Sequence, residues 1–191
     1  RSGNKNFNKH ILPKLKQKGI VYIPDDRKNK GILANRNIVD NIAVSNLDKH
    51  KKFKILLDTK HIEQSTESLA AQLNIKLSSV QQNITELSGG NQQKVLLARA
   101  IFSEADVIVI DDPTVGVDVN ARAQIHQLLF ALSREGKTLI IGTSDENEAC
   151  MIADRIYVLF QGRIVKELTG SDITEENVLS YASGLSHQGG E

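Results

Sequence analysis

LSGGNQQKVLLARAIFSEADVIVIDDP, running from Leu87 to Pro113, is the stretch whose reading decides the fold. In its middle, Val95, Leu96, Leu97, Ala98, Ile101 and Phe102 recur on overlapping i, i+3 and i+4 spacings, which predicts a largely buried helix. Ser88, Gly89 and Gly90 then fall at the amino end of that helix. Val107 to Ile110, VIVI, has the unbroken apolar pattern of a strand covered on both faces, and Asp111, Asp112 and Pro113 follow at once. Two carboxylates are thereby expected at a strand tip.

The same alternation continues outward. Upstream, GIVYI from Gly19 to Ile23 is short, β-branched and apolar, and Pro24-Asp25-Asp26 stops it, so it reads as a buried strand entering a loop. Downstream, Ile125, Leu128, Leu129 and Leu132 form the stripe of a helix from about Val119 to Arg134. Thr138 to Ile141 is a further strand. A helix over Asn147 to Ala153, a strand over Arg155 to Phe160, a turn at Gln161-Gly162-Arg163 and a return through Ile164 and Val165 complete the series. Strands alternating with helices predict an α/β fold whose mainly parallel sheet is covered on both faces and holds ligands beyond its carboxyl ends. Asp25, Asp111, Asp112 and Ser144 all fall at such ends. Between Ile38 and Ser78 the segments are charge-rich and helix-like. The most basic, LDKHKKFKILLDTKH, reads as a solvated helix face. The polar tail GLSHQGGE is expected to fray.

Bulk properties exclude several classes. The 191 residues suffice for one domain, or for one domain with an inserted subdomain. No run approaches the roughly 18 consecutive apolar residues of a membrane-spanning helix. Lys and Arg total 24 against 23 acidic residues, a formal charge of +1 that does not point to a nucleic-acid partner. One cysteine, Cys150, forms no internal disulfide and reads as packed and inert. The five histidines, at 10, 50, 61, 126 and 187, show neither the i, i+4 pairing nor the Cys company of a zinc site.

Adjacent Asp residues at a strand tip can divide labour. One can hold a Mg²⁺ through water while the other orients a nucleophilic water toward a phosphate. A strand-ending turn is the plainer explanation of Asp-Asp-Pro taken alone. Ser88-Gly89-Gly90 ahead of a helix offers a hydroxyl, unblocked amides and the positive end of the helix dipole, which suit an anionic oxygen; an ordinary helix start also favours Ser and Gly.

With these residues in place, LSGGNQQK (Leu87 to Lys94) resembles the signature motif of ATP-binding-cassette (ABC) ATPases, VIVIDDP their Walker B strand, and TVGVD, ending at Asp118, their D-loop. GIVYIPDDRKNKG and the NQQK form of the signature resemble the carboxyl-terminal ATPase half of tandem-cassette bacterial importers for simple sugars of the ribose, galactose and xylose type. The resemblance covers about residues 17 to 182. It implies a partial P-loop NTPase (RecA-like) fold: core sheet from residues 18–33 and 105–168, an inserted helical subdomain at 34–104 that includes the signature helix, and a C-terminal helix and tail at 169–191. It further implies that Ser88, Gly89, Gly90 and Gln92 contact the terminal phosphate of an ATP held mainly by a facing cassette. Asp111 would serve Mg²⁺, and Asp112 would stand where the family usually has a Glu acting as general base. Asp25 occupies the Q-loop position, Asp118 the D-loop position, and Ser144 the switch position where most cassettes have His. Asp is one methylene shorter than Glu, so Asp112 would sit about 1 Å back from the attacking water, a displacement that can cost on the order of 100-fold in rate.

A phosphate loop, Gly-x4-Gly-Lys-Ser/Thr between strand and helix, is the part not found. ALSREGKT, Ala131 to Thr138, fits a relaxed pattern but runs from helix into strand, so Gly136 reads as a helix C-cap. The expectation is that the loop lies ahead of Arg1, which makes the chain a piece of a tandem-cassette protein or, alternatively, a degenerate cassette acting as an interaction or regulatory module. The partners implied are a second cassette, membrane permease subunits and, indirectly, an external solute-binding protein, at the cytoplasmic side of the bacterial inner membrane. A soluble ABC protein of translation or DNA repair would need a basic surface that the charge balance does not suggest.

Overall fold

A computed structural model of the chain describes residues 14–15, 17–46, 51–52 and 56–184, and divides it into two compact units, one up to Gly142 and one from Thr143. The expected fraying of the tail after Gly184, and His10, His50 and His187, lie outside the described residues.

The first unit is built on three parallel strands, β1 (Ile20–Ile23), β4 (Val107–Asp111) and β5 (Thr138–Gly142), in the order β1-β4-β5. Ile23 pairs with Ile110 and Ile110 with Ile141, so the three carboxyl ends are level and all the loops that follow leave from one edge. One face of the sheet is closed. Ile23, Ile108 and Ile110 are buried there, beneath α3 (Gly89–Phe102), which packs on β1, and α4 (Val119–Arg134), which packs on β5. The other face differs from expectation. Tyr22 and Ile140, which flank Val109 in register, are 47% and 54% exposed. The apolar run VIVI therefore belongs to a strand covered on one face by the described residues, and its second set of apolar side chains faces outward.

Between β1 and α3 lie a single π-helical turn (Arg27–Gly31), α1 (Ile38–Ala43), α2 (Thr59–Gln72) and a 3-10 turn (Ile84–Glu86). Asp26, Asn37, Asp58 and Asn83 cap these elements by accepting from the backbone amides of Asn29, Asp40, His61 and Thr85, which is why each starts where it does. Ile38, Ile42 and Ile84 are fully buried among them. The basic run 47–61 is corrected in part: Lys51–Lys52 (β2) pairs antiparallel with Leu56–Leu57 (β3), so a hairpin stands ahead of α2 where a continuous helix face was expected.

Helix α3 is buried almost all round, with Val95, Leu97 and Ala98 wholly inaccessible. It also carries two cations, Lys94 buried and Arg99 half-buried. The Lys94 ammonium donates to the Asn74 carbonyl at 2.8 Å and to Gln124 Oε1 at 2.6 Å. The Arg99 guanidinium donates to the carbonyls of Asn41 and Gly31, both at 2.6 Å, and to Asn41 Oδ1 at 3.0 Å. Burial pulls Arg99 down to about 10, still far above neutrality, so it stays charged and needs these acceptors. Helix α4 ends as expected: Gly136 takes φ +87°, and Lys137 N–H donates back to the Leu132 carbonyl.

The second unit holds α5 (Glu146–Ile152), an antiparallel hairpin of β6 (Arg155–Phe160) and β7 (Arg163–Thr169), and α6 (Glu175–Ala182). Val158, Leu168 and Val178 form its core, with Cys150 packed against them. Burial, then Glu175 and Glu146, raises the Cys150 thiol, in keeping with an inert side chain. β6 and β7 pair with each other as a two-stranded sheet.

Candidate functional site

The amino end of α3 meets the loop after β4. Ser88 is the N-cap and is exposed; its hydroxyl oxygen accepts from Asn91 Nδ2 at 3.0 Å and from Asn91 N–H at 3.5 Å. Both contacts use the oxygen's lone pairs, which leaves the hydroxyl hydrogen to donate outward. Gln92 N–H bonds to the Ser88 carbonyl. The Gly89 and Gly90 amides are therefore the first-turn donors without an intrahelical acceptor, at the positive end of the dipole. Asn91 Oδ1 in turn accepts from Lys76 N–H at 3.0 Å, fixing the side chain that aims Ser88.

The two glycines are there for packing as much as for their amides. A Cβ on Gly89 would lie 2.5 Å from Arg27 Nη2 and 2.9 Å from the Gly116 carbonyl oxygen. One on Gly90 would lie 2.5 Å from the Ala121 Cβ. The signature turn is thus pressed against the TVGVD loop and the start of α4. Asp118 is exposed beside it and caps α4, its Oδ1 accepting from Ala121 N–H at 2.9 Å. Gln92 is 6% exposed, and its Nε2 donates to the carbonyls of Leu87 at 3.1 Å and Ile84 at 3.3 Å, so the amide braces the turn from inside.

The carboxylates gather at the level ends of β1 and β4. Asp111 closes β4, and the Tyr22 hydroxyl lies 3.4 Å from its Oδ2. Across on β5, a Cβ on Gly142 would sit 2.9 Å from Asp111 Oδ1, so a side chain there would displace the carboxylate. Partial burial, then the negative charges of Asp111 and Asp25, raises the Tyr22 phenol, which therefore stays protonated and able to donate to Asp111. Asp25 is exposed and 3.9 Å from Lys30 Nζ, an ion pair too open to count for much. Asp112 follows with φ +43°, the left-handed region that Asp tolerates better than most residues, and its N–H donates to the Gly142 carbonyl at 2.8 Å. Ser144 lies in the second unit, exposed in the segment before α5, where Thr143 Oγ1 donates to Glu148.

Among the described residues no group of three or more His, Cys, Asp or Glu could hold a metal ion. Arg27, Tyr22 and Asn91 are the residues that sequence reasoning did not single out. All three stand in quoted motifs, Tyr22 and Arg27 in GIVYIPDDRKNKG and Asn91 in LSGGNQQK, and neither motif tells what the side chain touches.

A parallel sheet whose carboxyl ends are level, with a capped glycine turn on a buried helix and paired carboxylates at the central strand's tip, is the architecture of an α/β domain of the P-loop NTPase fold. The chain belongs to the ABC transporter family, whose pattern it matches over residues 3–115. It is 39% identical over 170 residues to a ribose import ATP-binding protein of Clostridium perfringens, covering 88% of this chain and 34% of that protein. It is 37% identical over 166 residues to an arabinose import ATP-binding protein of Mannheimia succiniciproducens, covering 87% and 33%. The chain thus spans about a third of the length of these relatives. Among solved structures, a nucleotide-free ATP-binding cassette of an ABC transporter superposes with TM-score 0.72 at 22% identity, covering 94% of this chain and 72% of that one. A dimeric cassette in a post-hydrolysis state with ADP and Pi superposes with TM-score 0.67 at 22% identity, covering 81% and 65%. These likenesses establish the fold.

Proposed function

We propose that the chain is the signature-bearing and Walker B part of an ATPase cassette that drives import of a monosaccharide or similar small polar solute. It would act with a second cassette, at a membrane permease fed by an external solute-binding protein, on the cytoplasmic side of a bacterial inner membrane. The observation that carries the reading is Ser88: exposed, aimed by Asn91, with its hydroxyl hydrogen free to donate and with the Gly89 and Gly90 amides beside it. The similarity to ribose and arabinose import ATP-binding proteins supports the solute class. No helix among the described residues is long and apolar enough to cross a membrane, so passage of the solute would fall to the permease.

In this reading Ser88, Gly89 and Gly90 donate to the outer phosphate of an ATP whose main cradle belongs to the facing cassette. That contact makes nucleotide binding favour the closed pair. At this chain's own strand tip, Asp111 would meet a nucleotide-bound Mg²⁺, whose charge would offset that building on the phosphate oxygens. Tyr22 holds the Asp111 carboxylate from one side. Asp112, next along the chain, would orient or deprotonate the attacking water, and its short arm would set a low rate. Asp25, Asp118 and Ser144 remain proposed nucleotide-side residues.

The test is ATP hydrolysis by the chain alone and mixed with a cassette that supplies a phosphate loop. Stimulation that disappears with Ser88→Arg supports the proposal. Absence of stimulation in the parent chain would leave the non-catalytic interaction module as the better reading.

A further inference from the structure

Arg27 opens the π-helical turn and reaches 88 residues along the chain to the TVGVD loop. Its Nη1 donates to the Val115 carbonyl at 2.5 Å and its Nη2 to the Gly116 carbonyl at 2.9 Å. Between these groups and α3 there is no spare room: a Cβ on Gly89 would meet Arg27 Nη2 at 2.5 Å and the Gly116 oxygen at 2.9 Å. Gly116 itself takes φ +67°, and a Cβ there would lie 3.2 Å from the same Nη2. Within the loop, the backbone bonds from Val115 N–H to the Asp112 carbonyl and from Val117 N–H to the Thr114 carbonyl are long, at 3.3 and 3.4 Å. Meanwhile the far end of the same turn is tied down, because Arg99 of α3 donates to the Gly31 carbonyl at 2.6 Å. Leu96 packs there too: a Cβ on Gly31 would lie 3.0 Å from Leu96 Cδ1.

We propose that Arg27 is a positioning residue, clamping the Val115 and Gly116 carbonyls against Gly89 so that turn 27–31, loop 114–118 and the start of α3 move as one piece. A guanidinium suits this task because its fixed fork meets two successive carbonyls at once, whereas an ammonium is a point donor on a flexible stem. The clamp gives the segment after β1 a direct mechanical hold on the edge that carries Ser88 and Asp118. What that edge does for ATP rests on the proposed function; the clamp itself does not.

Hydrogen exchange on the intact chain, without nucleotide, tests the clamp, using Arg27→Gln, Arg27→Lys and Gly89→Ala. Charged hydrogen bonds are lost in the first variant, so exchange at the Val115 and Val117 amides should rise about tenfold or more while Ile110 in β4 stays protected. Gly89→Ala, whose methyl enters the clamp, should release the same two amides, and Arg27→Lys should restore part of the protection. Should Arg27→Gln not fold, Gly89→Ala carries the test alone. Unchanged exchange at both amides in every folded variant overturns the clamp. In the paired-cassette assay Arg27→Gln should lower kcat by about tenfold with KM for ATP within about twofold, partly regained by Arg27→Lys. Released amides with an unaltered kcat would overturn the positioning role. A parent chain that is not stimulated at all would sink the proposed function and leave the exchange result to decide the clamp.

Discussion

A methyl group on Gly90 would lie 2.5 Å from the Cβ of Ala121. The two atoms are each fixed to a helix backbone, Gly90 in the first turn of α3 and Ala121 in that of α4, so neither can swing aside. Close approach of these helix starts is what sets the signature turn beside Asp118.

Gly90→Ala therefore forces the helix starts apart. Overpacking of this kind costs about 1–3 kcal/mol, against which the better helix propensity of Ala returns at most about 1 kcal/mol. Urea unfolding should show Gly90→Ala less stable than the parent, and Ala121→Gly in the same chain should recover part of the loss. Equal or greater stability of Gly90→Ala would show that the contact does not fix the spacing.

Tyr22 and Asp111 give the fold an alkaline weakness. The folded phenol lies above its ordinary value because of burial first and the Asp111 and Asp25 charges next. A raised acid keeps its proton longer in the native state than in the unfolded chain, so its contribution is complete below the ordinary tyrosine pKa of about 10 and is lost as pH climbs through the folded value. Urea stability of the parent should fall more steeply above about pH 10 than that of Tyr22→Phe. Parallel curves for the two proteins would mean that the hydroxyl does not interact with Asp111 in solution.

Asp112→Glu sets reach against backbone strain. The longer side chain recovers roughly 1 Å toward the water and should raise kcat in the paired-cassette assay by about tenfold or more. Position 112 has φ +43°, where Asp is tolerated and Glu less so, at a cost of up to about 1 kcal/mol. The variant should be faster and slightly less stable. A stable, folded Asp112→Glu with unchanged or lower kcat would remove Asp112 from the role of base.

Local physics made much of the chain legible from its sequence alone. Helix α4 runs from Val119 to Arg134 as its stripe predicts, Asp118 caps it and Gly136 ends it, because periodicity, N-caps and left-handed glycines act within a few residues of themselves. The strand VIVI and the two carboxylates at its end were legible for the same reason. What required the tertiary structure were relations between distant residues: Arg27 with Gly116, Arg99 with Gly31, Tyr22 with Asp111, and the buried inward turn of Gln92. Nor could an apolar strand pattern tell which face would be covered, since Tyr22 and Ile140 owe their exposure to what packs elsewhere and not to their own neighbours in sequence. The sequence determined a nucleotide-type α/β edge with a hydroxyl and two carboxylates; only the packing of α3, α4 and turn 27–31 decided which of those groups face outward and which hold the others in place.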